Sequence, residues 1–166
     1  MAYRNKVYVA FDGDEDMAYY RMLTAWAGNP NDDFELNNAH DLNKSYDDSQ
    51  EETIKRHLRE RFNNSKLFIL LVGEHTKNLR KFVRWEIETA LKMDIPIIAV
   101  NINKNRGWDE RTPKLIKENL SISVAYTEKI IKYAMDHWPA EHKQYRNNNV
   151  NKGYRYSDSV YGKLGL

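Results

Sequence analysis

Glu86 stands where a carboxylate is expensive. On a helical wheel at about 100° per residue, the stretch from Leu79 to Met93 gathers Phe82, Val83, Ile87, Ala90 and Leu91 on one face, with Leu79 and Met93 at its ends. Glu86 falls inside that apolar stripe, between Phe82 and Ala90, whereas Glu88 falls on the wet side. Burying a carboxylate costs free energy unless it is paired or kept neutral. Sequences break their own patterning mostly at functional sites. Two readings follow. Glu86 is structural, pairing with a neighbour such as Arg80 or capping a loop. Alternatively it is a single carboxylate in a poorly solvated pocket, where it could stabilise a developing positive charge strongly.

Other groups are weaker. Asp12, Asp14, Glu15 and Asp16 cluster after the first apolar run. Acids there could hold magnesium, as in phosphoacceptor receiver domains. A receiver would also carry an acid after the third strand and a lysine after the fourth, and this chain has Val72-Gly73 and Val100-Asn101. Asp14 and Asp16 therefore read as helix-opening acids that cap and offset the dipole, while Asp12 lines the crevice. His40 and Asp41 occupy a polar loop. His40 could exchange a proton or bind a phosphate or ribose, although an exposed loop pair reads equally well. His75 has the same standing. Gly13 and Gly73 suit tight turns. No G-x-G-x-x-G, Walker loop, H-E-x-x-H or Ser-His-Asp pattern occurs, so no metal site is expected. The chain has no cysteine, which removes disulfides, thiolate ligands and cysteine nucleophiles.

The elements that must position these groups alternate. Val7–Phe11, Phe34–Leu36, Leu67–Val72, Ile95–Val100 and Ile122–Ala125 read as strands. Helices are expected at Asp14–Trp26, from an N-cap at Ser49 to Phe62, at Leu79–Met93, near Pro113–Glu118, and from Thr127 until Pro139 stops the last one. Strands apolar on both faces argue for a parallel sheet covered on both sides. The expectation is an α/β three-layer, flavodoxin-like sandwich with five parallel strands in the order 2-1-3-4-5. Its ligand crevice would lie beyond the carboxyl ends of the strands, near the loops after Phe11, Leu36 and Val72.

A chain of 166 residues fits one domain. The reading is a domain over 1–139 and a basic, Tyr- and Asn-rich tail over 140–166. The net charge of +2 divides into +3 for the segment from Pro139 onward and −1 for the rest. A near-neutral body has no electrostatic footprint for nucleic acid. Tyr145, Tyr154, Tyr156 and Tyr161, interleaved with Lys and Arg, could still bind it, against the plainer reading of a disordered or neighbour-docking tail. No apolar run reaches the roughly 18 residues of a membrane helix. With no signal-peptide pattern and no cysteine, a cytoplasmic protein is expected.

Several segments together resemble a known family. They are Val9-Ala10-Phe11-Asp12, Glu51-Glu52-Thr53-Ile54-Lys55, Asn64-Ser65-Lys66, Phe82-Val83-Arg84-Trp85-Glu86-Ile87-Glu88 and Ile97-Ile98-Ala99-Val100-Asn101. The chain resembles the TIR-like proteins of Thoeris antiphage defence, within the wider TIR superfamily, over roughly Lys6 to Pro139. The resemblance implies that Glu86 takes the place of the catalytic glutamate and that NAD+ is the substrate rather than a bound cofactor. It implies cleavage of the nicotinamide–ribose bond and an ADP-ribose-derived signal that activates a separate ThsA-like effector. It further implies a phage trigger and self-assembly. Phe11 and Trp85 would stack on nicotinamide or adenine, and Asp12, His40, Asp41 and Gly73 would border the substrate. A non-catalytic TIR-like sensing or binding module is the alternative.

Overall fold

The computed structural model of the chain describes residues 6–13, 15–28, 35–38, 51–78 and 81–166, with residues 35–38 and Lys81 by backbone alone. Strand β1 (Lys6–Ala10) leads into helix α1 (Met17–Ala27), β2 (Glu35–Asn38) and α2 (Glu51–Asn64). Then come β3 (Leu67–Val72), a short 3₁₀ turn (Thr76–Asn78), α3 (Lys81–Lys92) and β4 (Ile97–Asn101). The chain closes with α4 (Lys114–Lys117), β5 (Ser121–Ala125), α5 (Glu128–Asn147), β6 (Gly153–Arg155) and α6 (Asp158–Lys163).

All strand pairs are parallel, and the sheet order is β2-β1-β3-β4-β5-β6. The chain therefore runs one way from β1 to β2 and the other way from β1 to β3, which sets a switch point between β1 and β3. Alternation along each strand builds two cores. Val7, Val9, Leu67, Ile69 and Leu71 face Tyr20 and Leu23 of α1 and the Ile130–Trp138 face of α5. Tyr8, Ala10, Phe68, Leu70 and Val72 face Ile54, Leu58 and Phe62 of α2 and Ile87 and Ala90 of α3. The buried positions of α2 are four residues apart, so one stripe meets the sheet. β3 has no exposed residue, and each such Leu, Ile or Val contributes about 1.5–3 kcal/mol.

Three expectations change. The sheet has six strands, not five. β6 was invisible because Gly153-Tyr154-Arg155 is short and carries no apolar run; it forms because it pairs with Ser121–Ser123 of β5. The last helix does not stop at Pro139 but runs through it to Asn147. An interior proline forfeits one helix hydrogen bond, yet Trp138 and His142 are buried on either side of it. The presumed tail is folded. Tyr145 stacks on Tyr154 at 4.2 Å, both meet Trp138 at 6.0 Å, and Tyr161 is 1% exposed. Its aromatic rings thus pack against the domain.

Smaller shifts are local. α1 starts at Met17, three residues later than the acids suggested. Met93 lies just past α3 and is largely exposed. Ser49 and Asp14 lie outside the described residues. Among the described residues no helix is long and apolar enough to cross a membrane.

Candidate functional site

Glu86 lies on the inward face of α3 and is 3% exposed. The wheel reading of its face is therefore met by its burial beside Ile87 and Ala90. Across from it stands Tyr8 of β1, fully buried. The Tyr8 ring stacks on Phe62 of α2 at 3.8 Å and lies 5.8 Å from Phe68 of β3. Its hydroxyl is held well above the usual phenol range, first by burial, then by the charge of Glu86 and hydrogen bonding to it, with Arg61 opposing. Tyr8 is thus a neutral phenol in this apolar layer. Its Oη is buried without a hydrogen bond of good geometry. Sequence reasoning missed Tyr8. The available signal was a hydroxyl in an otherwise apolar strand, since a buried tyrosine usually needs a partner.

A second set of acids occupies the carboxyl edge of the sheet. Asp12 follows β1 and is buried, and its carbonyl accepts the Asp16 N–H at 2.8 Å. Asp16 sits at the N-cap of α1 but its side chain makes no capping bond. That corrects its reading as a cap. Its carboxylate lies against Gly73, where an added Cβ would collide with Oδ2. Oδ2 is buried without a hydrogen bond. Burial, then the charges of Asp12 and Glu15, push the Asp16 carboxyl up to about 6, against the pull of His75 and Arg111. Gly73 is accordingly buried and covered, with its N–H donating to Thr76 Oγ1 at 2.8 Å. It serves as the floor under Asp16 as well as a turn.

Asn101, at the end of β4, staples the following loop. Its Nδ2 donates to the carbonyls of Asn105 and Gly107 at 2.8 Å and to Ser123 Oγ at 3.0 Å.

The aromatic candidates separate. Phe11 is 6% exposed and stacks on Tyr20 at 4.5 Å, in the core under α1. Phe11 shares the alternation of Val7 and Val9 and packs with them. Trp85 is half-buried, edge-on to Phe62 at 6.1 Å and beneath the Arg59 guanidinium at 5.7 Å. It lines a surface groove of about 540 Å³ between α2 and α3, with Asn63, Thr89 and Lys92. The structure therefore brings Tyr8 to Glu86 and Asp16 to Asp12 and Gly73. His40, Asp41 and Arg80 lie outside the described residues.

A family model described as Thoeris protein ThsB, TIR-like domain, matches residues 8–107. The chain belongs to this family. The matched span runs from Tyr8 past the end of β4 and holds Asp12, Gly73, Trp85 and Glu86. Membership in Thoeris supports a role in antiphage defence. The elements from α4 onward lie beyond the match, yet β5 and α5 complete the core that the ThsB-like half begins.

Proposed function

We propose that this Thoeris TIR-like chain is a NAD-consuming enzyme whose catalytic carboxylate is Glu86. The observation that carries the reading is a glutamate buried on the sheet-facing side of α3, in a family of TIR-like domains. The chemistry suits one carboxylate. The bond between ribose C1′ and the pyridinium nitrogen breaks, and its electron pair leaves with nicotinamide, which departs neutral. No proton donor is needed at the leaving group, unlike ordinary glycosidases with their two carboxyl groups. What remains is an oxocarbenium-like ribose, which a carboxylate shielded from water stabilises. Water then adds at C1′ to give ADP-ribose and a proton, or the substrate's own adenine closes on C1′ to give a cyclic isomer. The product would be the diffusible nucleotide that activates a ThsA-like effector after a phage trigger.

A carboxylate 3% exposed does not meet a ribose without movement of its cover. The reading therefore includes a resting chain that is silent until triggered, with self-assembly as one means of opening it. The same burial favours the second reading, a non-catalytic TIR-like module in which Glu86 is structural. Mass spectrometry of nucleotides in infected cells separates them. Wild type is expected to yield an ADP-ribose-type product that Glu86→Gln does not. Equal product from both would remove Glu86 from the chemistry, and defence without product in both would favour the module.

A further inference from the structure

Packing uses the indole of Trp85 only in part. Successive residues of α3 are turned by about 100°, so Trp85 leaves the helix on a different face from the buried Glu86, Ile87 and Ala90. It is half-buried, nearly perpendicular to Phe62, and lines the groove between α2 and α3. Two helix stripes meet there. Trp85, Glu88, Thr89 and Lys92 recur at i, i+3, i+4 and i+7 along α3, and Arg59 and Asn63 at i and i+4 along α2. The groove holds about 540 Å³, the size of a small-molecule site, with the exposed Met93 as an apolar wall. Its polar groups are available. Among the described residues the Asn63 amide makes no hydrogen bond and Lys92 Nζ no ion pair. Glu88 is held by Arg84 at 3.0 Å, while the half-exposed Arg59 has only a distant carboxylate, Glu52 at 3.9 Å. Thr89 Oγ1 donates to the Trp85 carbonyl at 2.8 Å, which leaves its lone pairs to accept.

An indole offers its face to a base, cations hold phosphate, and an asparagine amide matches the donor–acceptor edge of adenine. An acidic peptide would use the cations and leave the amide and the indole idle. We propose that this groove is a nucleotide site separate from Glu86, in which Trp85 stacks on an adenine, Asn63 reads its edge, and Lys92 and Arg59 hold its phosphate. Arg59 now lies over the Trp85 ring at 5.7 Å and would swing from there to the phosphate. The inference does not depend on Glu86 being catalytic, because Glu86 does not line the groove.

The test is an NMR titration of the purified full chain with AMP, adenosine, inorganic phosphate and a hexaglutamate peptide in turn. The indole N–H signal of Trp85 is assigned by its loss in Trp85→Phe, which keeps a ring against Phe62. AMP is expected to move that signal saturably and to bind about tenfold more tightly than adenosine or phosphate alone. Lys92→Glu, at an exposed position, should weaken AMP about tenfold and leave adenosine unchanged. Asn63→Ala, also exposed, should weaken both. The absence of a saturable shift with AMP overturns the proposal. Phosphate binding as tightly as AMP also overturns it, leaving an anion surface only. Tighter binding of hexaglutamate assigns the groove to an acidic protein segment instead, and AMP binding that neither substitution weakens places the nucleotide elsewhere; either result overturns the proposal.

Discussion

An acid at a helix start ordinarily turns back to accept the free amide hydrogens of the first turn. Asp16 turns away from α1 and rests on Gly73, close to Asp12. The consequence is a carboxyl raised from an ordinary 3.8 to about 6. For an acid whose folded value is raised, the fold carries no penalty below its unfolded value. The penalty grows as pH rises and is complete above about 6. Asp16→Asn is therefore expected to match wild type near pH 4 and to be more stable at pH 8 by about 1–2 kcal/mol, after allowance for solvent screening. Thermal melts at the two pH values check this, and an equal effect at both would refute it. Glu86 belongs to the same scale, and Glu86→Gln tests the chemistry because it keeps the chain that fills its place on α3.

At the scale of elements, β6 shows how little room a three-residue strand can need. Gly153 pairs with Ser121, and the indole of Trp108 occupies the space above it. A Cβ there would fall 2.5 Å from Trp108 Cζ2 and 3.0 Å from the Lys117 carbonyl. Gly153→Ala must displace a large ring or shift backbone. A loss of about 1–2 kcal/mol is expected, as for other overpacked sites, with faster hydrogen exchange at the β5 amides that face β6. Unchanged exchange would mean that β6 contributes little to the sheet. α5 holds the other end of this arrangement. His142 Nε2 and Arg146 Nε converge on Asp94 Oδ1 at 3.1 and 2.6 Å, which pins the helix beyond Pro139 to the turn after α3.

For the whole molecule, the segment after Pro139 is part of the fold. It caps the β5 edge and seats Tyr161, whose Oη accepts the Ala125 N–H at 3.0 Å. It also supplies Arg146 to Asp94 and Asp158 to Arg106. A chain truncated after Pro139 would expose Trp138 and leave β5 as an open edge, a template for aggregation. Residues 1–139 alone are expected to lose cooperative unfolding, measured by calorimetry against the full chain. A sharp transition at the full-chain temperature would show that residues 1–139 fold independently.

Local spacing was enough for the α/β class, for a parallel sheet covered on both sides, and for the face of α3 on which Glu86 lies. Those follow from continuous apolar runs and from apolar residues recurring with period 3.6, which neighbouring residues express by themselves. Tyr8 opposite Glu86, Asp16 over Gly73, and the folding of a polar, tyrosine-rich segment into a sixth strand and a final helix came only with the tertiary structure. Each joins residues far apart in the chain. Strand register, helix placement and the filling of space decide such pairings, and no local pattern records them.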